Sequence, residues 1–129
     1  NIYISALLFG GNPSFCLELS RSSNITLFVS HAILLELASK LQEKFLWDEH
    51  KVHITIQNIL QYSTIVKPSK KITIIKGDPP DNRVLELALE AKADFIISGD
   101  KKHLLSLKNF GNIPIVSAKQ FLDIFYQKH

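Results

Sequence analysis

Four acids stand out because they follow three different β-favouring stretches. Glu36 lies shortly after the run 25–29, Asp78 and Asp81 follow 72–75, and Asp100 follows 95–98. In open α/β sheets, ligands collect beyond the carboxyl ends of the strands, so these acids can converge on one sheet edge. Two like unit charges about 4 Å apart repel by roughly 4 kcal/mol at an effective dielectric near 20. Gathering them therefore requires protonation or a bound cation. Oxygen-only ligation suits a hard ion such as magnesium or manganese. Such an ion activates water and offsets charge on a phosphate under in-line attack, so phosphodiester hydrolysis is the chemistry implied.

Each acid also has a structural reading. Asp78 before Pro79 and Pro80 suits a helix N-cap, with Asp81 then well placed for the helix dipole. Glu36 can pair with Lys40 one turn on, and Asp100 can cap the turn holding Lys101, Lys102 and His103. His50 and His53 share a helical face with no clear third ligand and are expected to face solvent. Gly10-Gly11 is no dinucleotide fingerprint, and no phosphate-binding P-loop occurs. Lys67, Lys70, Lys71 and Lys76 make a basic stretch that suits RNA phosphates or a solvated loop equally well.

The elements that must position these acids can be read from hydrophobic periodicity and breakers. Residues 1–9 read as the end of a buried strand running into a helix, and Pro13 opens a helix over 13–22. A short strand over 25–29 precedes Ser30, which caps a helix to about 45 with Ile33, Leu34, Leu37, Ala38 and Leu41 on one face. Asp48 caps a further helix through 61. The β-branched runs 64–66 and 72–75 follow, then a helix from about 79 to 92. The strand 95–98 leads into a short helical turn, and the strand 113–116 precedes a last helix capped by Ser117. Short apolar strands alternating with helices predict one α/β domain over 1–129, its parallel sheet covered on both faces.

Composition is consistent with that and narrows little. A net charge of +3 favours an anionic partner mildly. No apolar run approaches the roughly 20 residues of a membrane span, and no secretory leader is legible, so no membrane association is expected. The single cysteine, Cys16, sits among Phe15, Leu17 and Leu19 and reads as a buried structural thiol. One cysteine forms no internal disulfide, which fits a cytoplasmic setting. The start at Asn1, in a chain without methionine, predicts that residues precede it.

Four segments taken in chain order resemble the PIN-domain family. NIYISALLFGGNP from Asn1 resembles the segment after the family's first aspartate, where Asp-Thr-Asn ends strand one. SHAILLEL from Ser30 resembles the stretch bearing its second acid, at Glu36. DPPDNRVLELA from Asp78 resembles the Asp-Pro-Asp-Asp-Asn helix start, and SGDK from Ser98 resembles the Thr/Ser-Gly-Asp motif after strand four.

The resemblance implies a three-layer α/β/α sandwich with a central parallel sheet, its first strand truncated here. It also implies a divalent-metal-dependent endoribonuclease similar to the VapC-type toxins of toxin–antitoxin pairs. Glu36, Asp81 and Asp100 map onto acids that are both catalytic and Mg2+- or Mn2+-binding, with Asn1, Ser98 and Asp78 in support. RNA as substrate, a cognate antitoxin and a homodimer are the partners implied. Two departures are visible: the family's first aspartate is expected just ahead of Asn1, and Pro80 replaces one acid of the helix-start motif. They motivate an alternative, a catalytically inactive PIN-fold protein-binding module. A small-molecule α/β enzyme has no recognisable nucleophile–base pair in its favour.

Overall fold

The structure, a computed structural model, describes residues 7, 10–71, 79–99 and 104–128. In chain order the elements are α1 (Asn12–Arg21), β1 (Leu27–Val29), α2 (His31–Glu43), α3 (Glu49–Gln61) and β2 (Ser63–Ile65). Then come α4 (Pro79–Ala91), β3 (Ile96–Ile97), α5 (Leu104–Leu107), β4 (Asn109–Phe110), β5 (Ile113–Val116) and α6 (Ala118–Lys128). The expected strand run 72–75 and the truncated first strand lie outside the described residues, as does most of 1–9. Leu7 is helical, in keeping with a chain running into a helix there.

Local chemistry fixes the helix starts. Ser30 accepts the Ile33 N–H at 3.3 Å and Asp48 accepts the Lys51 N–H at 2.7 Å, so both predicted caps form. Ser117 and Gln120 exchange bonds in both directions, the Gln120 N–H to the hydroxyl at 3.1 Å and the Ser117 N–H to the amide oxygen at 2.8 Å. This capping box satisfies two otherwise orphaned donors at the head of α6. At the other ends, α1 and α4 close with paired bonds that return to the last turn, Asn24 to Leu19 with Ser23 to Ser20, and Ala93 to Ala88 with Lys92 to Leu89. Glycine usually takes the left-handed position of such an exit. Here Ser23, Lys92, Lys108 after α5 and Leu46 beyond α2 hold it instead, with φ of 63°, 54°, 63° and 58°.

The strands form two separate sets among the described residues. β1 pairs in parallel with β2, Phe28 opposite Thr64, and β3 pairs in parallel with β5, Ile97 opposite Val116. β4 pairs antiparallel with β5, which departs from the all-parallel expectation. Its physical reason is the connection: Gly111 and Asn112 are too few residues for a helical crossover, so the chain must reverse. Gly111 takes φ 60°, the left-handed conformation that a tight reversal needs.

Three apolar clusters hold the elements together. Val29, Leu34, Leu37, Leu41, Val52 and Ile59 join β1 to α2 and α3. Leu85, Ala88, Ile96, Leu104 and Ile115 join α4 and α5 to β3 and β5. Cys16, Leu19, Ala118, Phe121 and Leu122 join α1 to α6, with Phe95 edge-on to Phe121 at 5.4 Å. Each fully buried Leu or Ile contributes about 1.5–3 kcal/mol relative to exposure. No helix among the described residues is long and apolar enough to cross a membrane.

Candidate functional site

Glu36 sits in the second turn of α2, the helix that continues from β1 through the buried cap Ser30. Its carboxylate oxygen lies 3.5 Å from the Lys40 ammonium, with both side chains 40% exposed. The i,i+4 pair anticipated as the structural reading does form. At that exposure it contributes about 0.3–0.5 kcal/mol, so the carboxylate is detached from Lys40 at little cost.

Asp81 belongs to the first turn of α4, which packs against both α2 and β1. Its side chain is outside the described residues, as are Asp78, Asp100 and Asn1. Ser98 follows β3 directly, is 3% exposed, and donates its N–H to Val116 at 2.9 Å. The fold thus sets the helix bearing Glu36 beside the helix bearing Asp81, with Ser98 fixed at a strand end. Among the described residues, no group of three or more His, Cys, Asp or Glu is placed to hold a metal ion. What fits a hard divalent ion is the chemistry of the donor set, oxygen-only, beginning with the easily released carboxylate of Glu36.

Two polar residues that the sequence did not single out are buried on α4. Asn82 and Glu86 are 5% and 7% exposed and share the inward side of the helix with Leu85. Glu86 bonds Arg83 at 2.8 Å, a pair largely withdrawn from water. The available signal was periodicity, since positions i, i+3 and i+4 of a core-facing helix are normally apolar. His50 and His53 are exposed as expected. Cys16 is buried, its thiol directed at the Ala118 carbonyl at 3.8 Å, and burial pushes its pKa up to about 11. Lys67, Lys70 and Lys71 are exposed between β2 and α4, while Lys76 is outside the described residues.

Comparison with protein families decides the class: the PIN domain model matches residues 1–102. The chain belongs to the PIN-domain family. Neither the curated proteins nor the solved structures give a match. PIN domains are generally nucleases, hydrolases of phosphodiester bonds, and typically use divalent metal ions. In this PIN domain the match takes in α1 to β3, including Glu36, Asp81, Ser98 and Asp100, and stops before α5. β5 and α6 lie beyond it but complete the packing, since β5 supplies the partner of β3 and α6 the partner of α1.

Proposed function

We propose that this PIN domain is a divalent-metal-dependent endoribonuclease, the toxin of a toxin–antitoxin pair acting in the cytoplasm. Glu36, Asp81 and Asp100 are its metal-holding and catalytic acids, with Asn1, Ser98 and Asp78 ordering the site. The observation that carries the reading is positional. Glu36 stands in the helix leaving β1, Asp81 in a helix packed on that helix, and Asp100 in the chain just past β3 and Ser98.

A bound magnesium or manganese ion would supply an activated water and neutralise charge on the phosphate. The protein's own part is to carry Glu36 on α2 and Asp81 on α4, and to release Glu36 from Lys40. The exposed Lys67, Lys70 and Lys71 offer sequence-independent contacts to RNA phosphates. A three-layer sandwich, a homodimer and a cognate antitoxin belong to the same reading.

The test is calorimetric titration with manganese, alongside RNA cleavage, for the protein and its Asp81→Asn and Asp100→Asn variants. Both variants are expected to lose binding and cleavage while keeping the parent's circular dichroism. Undiminished cleavage by both would remove these acids from the site. Absence of manganese binding in the parent at millimolar concentration would favour the inactive protein-binding module, which the Lys40 pairing of Glu36 and the presence of Pro80 support.

A further inference from the structure

The basic side chains of this protein differ in what they touch. Arg21, Lys40, Arg83 and Lys119 each pair with a carboxylate one turn away on their own helix. Lys44 and Lys51 lie over the rings of Phe45 and Trp47. Lys67, Lys70, Lys71 and Lys92 do neither. All four are exposed, and none has an ion pair or a ring contact among the described residues.

These four lysines come from two chain segments, and one contact joins the segments. The Val66 N–H donates to the Val29 carbonyl, which anchors the chain to β1 up to the residue before Lys67. Ser69 then donates both its hydroxyl and its N–H to a single carboxylate oxygen of Glu90. Glu90 stands in the last turn of α4, and Lys92 follows that helix directly. Beyond the two Ser69 bonds, the charges of Lys70 and then Lys92 also hold the Glu90 carboxyl down, so both ammonium groups stand near it. The lysines outnumber the exposed acids beside them in the chain, Glu90 and Asp94, and the patch keeps a positive excess. Like charges gathered in this way oppose folding slightly and are relieved by an anion from outside.

We propose that Lys67, Lys70, Lys71 and Lys92 form a distal clamp for the phosphate backbone of RNA, assembled by the Ser69–Glu90 contact at the opposite end of α4 from Asp81. Exposed lysines spread over two segments suit a chain of phosphates better than a single small anion, which needs donors converging on one point. Asp81 is in the first turn of α4 and Glu90 in the last, about 13–14 Å apart along the axis at about 1.5 Å per residue. A patch at that remove does not touch a bond cut beside Asp81; it holds RNA that extends away from it. The choice of RNA rests on the nuclease reading, and the clamp adds to it a preference for substrates that reach past the cut. Ser69 and Glu90 are positioning residues, acting on RNA only through the lysines they bring together.

The test is fluorescence anisotropy with a labelled single-stranded RNA in EDTA, over a range of potassium chloride, so that neither metal nor cleavage enters. Lys92→Ala is expected to weaken binding about three- to tenfold and to lower the salt slope by about 0.7. Ser69→Ala changes no charge, yet is expected to weaken binding about two- to fivefold by releasing the loop from α4. Lys108→Ala removes an exposed lysine beyond α5 and should leave the affinity at the parent's value. Parent-like binding by both Lys92→Ala and Ser69→Ala overturns the clamp, even if the parent cleaves RNA. Equal weakening in Lys108→Ala reduces the effect to net charge and also overturns it, as does a parent that binds no RNA. Weakened binding in the two clamp variants of a protein that cuts no RNA keeps the clamp and removes the nuclease.

Discussion

The hydroxyl and the backbone N–H of Ser69 both donate to one carboxylate oxygen of Glu90, at 2.6 and 2.8 Å. The contact ties the basic stretch after β2 to the last turn of α4, the helix that begins near Asp81. The Ser69 hydroxyl, then its N–H, holds the Glu90 carboxyl below its ordinary 4.5. A depressed carboxyl pKa gives stability that is present above the unfolded value and lost as pH falls through the folded one. Ser69→Ala should return the Glu90 titration, followed by NMR, towards the ordinary range, and should speed amide exchange at residues 67–71.

Lys40→Ala should barely affect folding, since an exposed i,i+4 pair contributes about 0.3–0.5 kcal/mol. If Glu36 is a metal ligand, the same change removes a competing cation and should tighten manganese binding by about two- to fivefold, roughly 0.5–1 kcal/mol. Calorimetry beside urea unfolding separates the two effects. A loss of affinity in Lys40→Ala would argue against Glu36 as a ligand.

Arg83→Ala should cost about 1.5–3 kcal/mol, because it removes a charge-assisted bond of 2.8 Å to the carboxylate of Glu86, which is 7% exposed. Replacing both residues with apolar side chains of similar volume should recover most of that loss. A shift in the urea midpoint of under 0.5 kcal/mol equivalent for Arg83→Ala would show that Glu86 finds compensation elsewhere.

Alkaline titration should weaken the fold through Cys16. Burial raises its folded-state pKa to about 11 from 9.0, so the stabilisation is complete below pH 9.0 and lost as pH rises towards 11. Over that window the loss is about 2–3 kcal/mol. Cys16→Ala should flatten this part of the stability–pH curve, at the cost of a small cavity between α1 and α6. The wild-type thiol should alkylate slowly at pH 8 until the protein is denatured.

The elements most legible in the sequence were those with local chemical signals. Ser30, Asp48 and Ser117 announced α2, α3 and α6, and the caps form with the expected donors. The runs 25–29, 64–66, 95–98 and 113–116 match described strands to within about two residues, because β-branched patterns mark a strand's existence better than its hydrogen-bonded limits. β4 was missed: Asn109 and Phe110 carry no alternation, and only their partner across Gly111 makes them a strand. The acids were legible only as candidates, since each follows a β-favouring stretch, and Glu36 is the one whose side chain is described. The buried Asn82 and Glu86 were not, since a polar residue on a helix reads as solvent-facing until its neighbours are known.

The four left-handed helix exits leave this domain with unspent thermostability. A non-glycine residue in that conformation carries about 1–2 kcal/mol of backbone strain, which glycine lacks, although glycine returns about 0.4–1 kcal/mol through unfolded-chain entropy. Ser23 and Lys92 line the cavity beside β1 and β3, but Leu46, 83% exposed, and Lys108 do not. Glycine at those two positions therefore offers a protein engineer a hardier scaffold, on which acids can be removed one by one without the fold giving way beneath them.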